Sequence, residues 1–462
     1  MIFNEFRFLF LFLPAVLLVF YLPGMRWFRP YMLIISSLVF YAVAGLEHTL
    51  VLIFDVVWVY ALTQSPHIKG SSLRLAVAAI PPLLALGYYK YLAFFLDTIG
   101  LGRAGYAMSP DGSAAFSFLW DIALPAGVSF FTFQVVSFAI DRYRGDIETP
   151  PSFKRFALFI TFFPQLVAGP IVRYEQMAEG LQRLKAFMPS AQTLYTAILY
   201  ILGGMAMKVL IADGLARSLA PLVAAPETIS ASNLVYLIGG YSFQIYFDFY
   251  GYSLVAIGLA LLFGISLPVN FLRPYSAANP RDFWRRWHVS LSFWIRDYVY
   301  KPLGGNQHYI RNIAITFALC GLWHGAAWTF VIWGLYHAAL VVGYKLCQRS
   351  WDRMPTVLQI AMTFVLVSIG WMLFIFDFAT LGQMITSVPD SFAIAGIALD
   401  WRDWAMLAIA GAVCFGIRIE KIADCPPTSA MRTIAYGLGC AGFAVLTLLF
   451  IDVSDSFIYF RF

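Results

Sequence analysis

Apolar residues fall along this chain in long, nearly uniform blocks, at 6–22, 31–47, 49–63, 75–96, 116–140, 156–172, 191–211, 232–264, 310–323, 328–346, 358–376, 402–420 and 432–451. A helix needs about 20 such residues to cross the hydrocarbon core. Lipid offers no hydrogen-bond partners, so a spanning segment must satisfy its backbone as a helix or within a closed barrel. These blocks are too long and too uniform for the alternating strands of a barrel. The pattern predicts an all-α, polytopic integral membrane protein with about 11–13 membrane-embedded helices. Segments 116–140, 156–172 and 310–323 carry Gly, Pro or polar residues and are expected to be re-entrant or broken. Such backbone is tolerated at membrane depth only where protein or a water-filled cavity surrounds it.

Composition agrees with the pattern. Of 462 residues, 61% are hydrophobic and 12% charged, where a soluble domain carries about 25% charged residues. The net charge of +6 sits in short loops, as in membrane proteins, and argues for no nucleic-acid partner. Arg26 and Arg29, then His67, Lys69 and Arg74, then Arg142, Arg144, Lys154 and Arg155 are expected to face the cytoplasm, with the N-terminus outside. The basic stretch from Arg273 to Arg311 falls on the cytoplasmic side in the same count. The first apolar block contains Pro14, lacks a small-x-small cleavage site and reads as a retained span. The five cysteines show no CxxC or paired spacing, so neither disulfides nor a structural metal is expected. No linker or repeat divides the chain, and 1–462 reads as a single membrane-embedded domain.

Segment 279–305, NPRDFWRRWHVSLSFWIRDYVYKPLGG, carries the first candidate chemistry. Asn279 suits a helix N-cap and Pro280 the first helical position. Wound as one helix, Trp284, Trp287, His288, Leu291, Trp294, Ile295 and Tyr298 share a face, and Arg281, Asp282, Arg285, Arg286, Ser290, Ser292 and Arg296 lie opposite. Such a helix fits an interfacial anchor. An anchor, however, has no use for an imidazole among three tryptophans. Arginines beside an aromatic face also suit the phosphates of a nucleotide-bearing thioester.

The second segment is CGLWHGAAWTFVIWGLYHA, 320–338. His324 lies deep in an apolar stretch, where an ionisable group is a functional candidate by default and a hydrogen-bonded structural histidine is the alternative. Burial would keep its imidazole neutral, the form a general base requires. His337 lies off the face of His324 in a continuous helix and is expected to support packing. Asp248 is the lone acid of its span, and an arginine or histidine of the site is its expected partner.

At this point the residues resemble the membrane-bound O-acyltransferase family, in its bacterial alginate-acetylase and teichoic-acid D-alanylation branch. The matching stretches are LPAGVSFFTFQVVSFAIDRYRG (124–145), FFPQLVAGPIVRY (162–174), YFDFYGYSLVAIG (246–258), LPVNFLRPY (267–275), FWRRWHVSLSFWIRDYVYKPLGG (283–305) and GLWHGAAW (321–328). The opening MIFNEFRFLFLFLP and the closing FIYFRF are similar to the alginate-acetylase type. Relatives often have an acidic residue where this chain has Leu254, and a small hydroxyl residue where Phe293 stands.

The resemblance implies helices tilted around a funnel, with the family's invariant histidine at His324 and its second polar position at His288. The expected reaction moves an acyl group, acetyl first among candidates, from acetyl-CoA or a carrier-bound acyl thioester to a hydroxyl, with no tightly bound cofactor. His324 is expected to take the hydroxyl proton. His288 or nearby indole N–H groups would orient the donor or stabilise the oxyanion, and Arg285 and Arg286 would hold the donor's phosphates. Trp284, Trp287, Trp323, Asp248, Asn270 and Tyr298 complete the expected substrate site. The resemblance further implies a bacterial inner membrane, an exopolysaccharide acceptor such as alginate and a periplasmic acetyltransferase-like partner protein. A polysaccharide or lipid-linked-sugar transporter is the rival class, since broken helices and buried polar groups serve transport as well. A haem or metal role for His288, His324 and His337 ranks last, because their separations match no ligand pattern.

Overall fold

The computed structural model describes residues 1–100, 124–387, 397–424 and 430–451. Regular structure among them is entirely helical, and six helices are long and apolar enough to cross a membrane. Shorter apolar helices accompany them at 7–21, 29–42 and 437–450. The chain is a multi-pass membrane protein. It packs as two compact units, Met1–Pro189 with Ala260–Pro268, and Ser190–Leu259 with Val269–Phe462.

The first unit contains α1 (Leu13–Tyr21), α2 (Arg29–Ala42), α3 (Leu46–Thr63), α4 (Ser72–Leu86), α5 (Leu92–Thr98), α6 (Val128–Arg144), α7 (Phe153–Thr161), α8 (Phe163–Leu166) and α9 (Tyr174–Arg183). Phe8, Phe12, Phe40 and Phe163 pack their rings within 5.4–6.1 Å of one another, joining the N-terminal helices to α8. The expected break in 156–172 is present: α7 stops at Thr161, α8 is one turn long, and 167–173 is irregular. The start of the expected 116–140 segment lies outside the described residues, and its remainder forms α6. Gly127 precedes α6 with φ +74°, and a Cβ there would stand 2.7 Å from the Leu166 carbonyl oxygen. The LPAG and FFPQ segments therefore meet backbone to backbone, a contact only glycine permits.

Two of the arginines that set the expected orientation are buried rather than solvated. Arg29 donates to the carbonyls of Phe20 at 2.9 Å and Phe187 at 2.7 Å, and lies over the Phe20 ring. Arg142 donates to the carbonyls of Thr63 at 3.1 Å, Glu148 at 2.6 Å and Ile147. Loop carbonyls left over at helix ends need donors, and a guanidinium supplies several from one side chain.

The second unit contains α10 (Ala191–Ala206), α11 (Asp213–Ala224), α12 (Ala231–Leu262), α13 (Pro280–Arg286), α14 (Val289–Ile295), α15 (Tyr309–His324), α16 (Trp328–Trp351), α17 (Thr356–Gly370), α18 (Met372–Ile375), α19 (Phe378–Ser387), α20 (Trp401–Gly416), α21 (Ile419–Asp424) and α22 (Ala430–Phe450). A π-helical turn, Met207–Ala212, joins α10 to α11 in one 34-residue helix. α12 crosses beside it, and Gly204 and Gly251 let the backbones touch: a Cβ on Gly251 would lie 2.6 Å from the Gly204 carbonyl oxygen. α15 and α16 form a tight hairpin in the same manner. A Cβ on Gly321 would meet the Phe330 oxygen at 2.0 Å, and one on Gly334 the Phe317 oxygen at 2.0 Å. Small residues at helix crossings allow such approach in membranes, where packing rather than a hydrophobic drive holds helices together.

Candidate active site

The site is assembled from 269–300 and the α15–α16 hairpin. Asn279 caps α13 by accepting the Asp282 N–H at 2.8 Å, with Pro280 at the first helical position. The single amphipathic helix expected across 279–305 does not form. α13 ends at Arg286, α14 begins at Val289, and His288 between them adopts left-handed backbone, φ 43° and ψ 54°. A non-glycine residue there costs roughly 1–2 kcal/mol. Backbone pairing across the bend holds it: Leu272 N–H donates to the Arg286 carbonyl and Val289 N–H to the Asn270 carbonyl, both at 2.9 Å. Helical periodicity does not reveal a partner segment lying outside the helix. The bend takes His288 off the stripe and buries it completely.

Asn270 also sets the protonation pattern of His288. Its Oδ1 accepts the Ser290 N–H at 3.2 Å and the Ser290 hydroxyl at 2.9 Å, and lies 3.2 Å from His288 Nδ1. A backbone N–H can only donate, so the amide atom facing it is the oxygen, and His288 Nδ1 must carry the hydrogen. Burial pushes the His288 imidazole down to about 3. The ring is neutral and its lone pair is on Nε2, which has no hydrogen-bond partner among the described residues.

His324 is the last residue of α15 and is 2% exposed. Its ring centre lies 4.9 Å from Trp323, 5.2 Å from Trp333, 5.5 Å from Phe374 and 6.3 Å from His288. Phe249 packs on the other side of His288 at 4.7 Å and Trp323 at 5.6 Å. Such an aromatic enclosure excludes water and strengthens any charge interaction inside it.

The other expected site residues divide into groups. Trp284 donates its indole N–H to His337 Nδ1 at 3.3 Å. The helix between His324 and His337 is interrupted at Gly325–Ala327, so His337 reaches the site through Trp333, 4.8 Å away, and not along a continuous face. Trp287 is fully buried against Trp371 at 4.9 Å and Phe271 at 5.0 Å. Arg285 lines a cavity of about 580 Å³ together with Arg281, Arg296, Trp284, Phe293, Thr316 and Cys320. Arg286 pairs with Asp282 at 2.9 Å and is not part of that lining. Tyr298 lies on the π-helical turn Arg296–Tyr300, its ring 5.1 Å from Trp294. Thr316, Cys320 and His324 recur every four residues along α15, so His324 follows the lining residue Cys320 by one helical turn.

Asp248 has a partner of another kind from the one expected. Lys208 Nζ lies 2.7 Å from Asp248 and 2.5 Å from Asp213, all three buried. Lys208 is the only charged residue in the apolar block 191–211. That was the available signal, since two lone opposite charges in separate spans are natural partners. Trp333 was the second omission. It stands in the quoted motif, but only the hairpin turn carries it back onto His324.

Two buried imidazoles packed among aromatic rings stand near a cavity lined by Arg281, Arg285 and Arg296. The family model described as the membrane-bound O-acyltransferase family matches residues 88–381. The chain belongs to that family and is an O-acyltransferase. It is 36% identical over 386 residues to a probable alginate O-acetylase of Pseudomonas aeruginosa, covering 81% of this chain and 72% of the relative. It is 32% identical over 414 residues to a peptidoglycan O-acetyltransferase of Helicobacter pylori, covering 81% and 77%. It is 35% identical over 268 residues to a teichoic acid D-alanyltransferase of Bacillus subtilis, covering 54% and 68%.

Proposed function

We propose that this enzyme, in a bacterial inner membrane, moves an acetyl group from a cytoplasmic thioester toward O-acetylation of an exopolysaccharide such as alginate. Acetyl-CoA or a carrier-bound acyl thioester is the donor, and a periplasmic acetyltransferase-like partner completes delivery. The carrying observation is the pair of buried histidines, His288 and His324, with ring centres 6.3 Å apart and His324 one helical turn after the cavity-lining Cys320. The names of the relatives support polysaccharide O-acetylation. Arg281, Arg285 and Arg296 at the cavity support a donor with phosphates, because a guanidinium binds phosphate oxygens in pairs.

In this reading His324 takes the proton of the acceptor hydroxyl as its oxygen attacks the thioester carbonyl. Such general-base assistance contributes about 10²–10⁴-fold. His288, with its lone pair on Nε2, accepts a hydrogen bond in the site and has no N–H there to offer an oxyanion.

The test is transfer from labelled acetyl-CoA by membranes holding wild type or His324→Ala at matched protein level, with candidate partner and polysaccharide present. Transfer by wild type that is lost in the variant is expected. Undiminished transfer by the variant removes His324 as the base, and no transfer by wild type, with a carrier-bound thioester also tried, removes the proposed donor.

A further inference from the structure

Acyl transfer places negative charge on the former carbonyl oxygen of the thioester, and a dry site must answer it with hydrogen-bond donors already aimed at it. His288 does not qualify, because Asn270 holds its only N–H. The remaining donors around the histidines include indoles, among them Trp323, whose ring lies 4.9 Å from His324 and 5.6 Å from His288. Trp284 uses its N–H on His337. Trp287 and Trp333 are both completely buried, and the N–H of each has no acceptor among the described residues. A buried donor left without an acceptor is destabilising, so its retention asks for a reason.

The two differ in what they touch. Trp287 packs against Tyr246, Phe271, Tyr275, Phe283 and Trp371. Trp333 lies 5.2 Å from His324, nearly perpendicular to it at 87°, and Trp371 and Phe374 pack on it at 5.5 and 4.7 Å. The Gly321 and Gly334 contacts of the α15–α16 hairpin fix its distance from His324.

We infer that Trp333 is a catalytic residue whose indole N–H binds the oxyanion formed next to His324. The inference rests on the reading of His324 as the base. As the hydroxyl oxygen bonds to the carbonyl carbon, its proton passes to His324 and the carbonyl π pair moves onto oxygen, which accepts the Trp333 hydrogen bond. Collapse re-forms the carbonyl and breaks the carbon–sulfur bond. The electron pair leaves on sulfur, which takes the proton back from His324.

The test compares wild type, Trp333→Phe and a variant with 3-benzothienylalanine at 333, which keeps the shape of tryptophan but replaces the ring N–H by sulfur. The same isostere at 351, whose indole N–H is held by the Ala278 carbonyl, is the control, the isostere at 323 is measured beside it, and thermal stability in detergent is checked for each. The 333 isostere is expected to lower kcat by roughly 10²–10³-fold, the usual loss for one oxyanion donor, with KM little changed. The 351 isostere should retain kcat. Wild-type kcat in the 333 isostere, a change confined to KM, an equal loss at 351, or a loss at 323 as large as that at 333 overturns the assignment. An active His324→Ala enzyme is a separate outcome, which overturns the base and leaves the donor measurement at 333 to stand or fall by itself.

Discussion

At the scale of single residues, Asn270 contributes more than its place in a substrate site suggested. Its Oδ1 is pinned by the Ser290 backbone N–H, and this determines which nitrogen of His288 carries a proton. Asn270→Asp keeps an acceptor for Nδ1 but adds a negative charge beside the ring. An adjacent carboxylate favours imidazolium, so the His288 value rises from about 3. The Nε2 lone pair is then lost at a higher pH than in wild type. The acidic limb of the pH–rate profile is expected to move to higher pH in Asn270→Asp, whereas Asn270→Leu loses activity across the whole range. Coincident profiles for wild type and Asn270→Asp would show that His288 protonation does not limit turnover. The presence of His288 and Asn270 in the site could be read from the motifs. Their hydrogen bond could not, because it spans 18 residues and a backbone bend.

At the scale of elements, charges and glycines hold helices in register where lipid provides no drive to associate. Lys208, on the π-helical turn after α10, ties Asp248 of α12 and Asp213 at the start of α11. Removing one member of a buried ion cluster is costly because it strands the others. Lys208→Met is expected to destabilise the protein by about 3–5 kcal/mol, read as a lower thermal midpoint in detergent. Adding Asp213→Asn and Asp248→Asn to that variant should recover much of the loss, since no unpaired charge then remains. A Lys208→Met midpoint equal to wild type would mean that the cluster contributes nothing to stability. Several helices were legible as apolar blocks to within a few residues: 232–264 became Ala231–Leu262, and 75–96 became the helical run Ser72–Thr98, whereas 191–211 continued to Ala224 and 310–323, expected to be broken, is the continuous helix Tyr309–His324. The break at His288 was not legible, because a 3.6-residue stripe continues through it in the sequence.

At the scale of the whole molecule, the basic stretch Arg273–Arg311 contains the arginines of the cavity, so its side of the membrane decides which substrate the cavity can receive. With the five native cysteines replaced, Gln307→Cys, an exposed position in the short 3-10 helix Gly305–His308, is expected to react with a membrane-impermeant maleimide in inside-out vesicles and not in right-side-out ones. The reverse pattern would place the cavity outside and rule out a cytoplasmic thioester at it.

The amino-acid sequence by itself determined that this chain spans a membrane as helices, because lipid leaves a long apolar segment no other way to satisfy its backbone. It also carried the resemblance to the O-acyltransferases, because the WHG and RRWH segments are short, local stretches that a linear reading can match, and the reaction class followed from that resemblance. Tertiary structure decided which groups act together. Lys208 with Asp248, Asn270 with His288, and Trp333 with His324 are each joined by a helix crossing, a backbone bend or a hairpin turn. Hydrogen bonds and ion pairs act over about 3 Å, and nothing in the linear spacing of residues brings distant positions to that range. Packing does so here, and with it decides which imidazole nitrogen is free and which indole N–H remains unused.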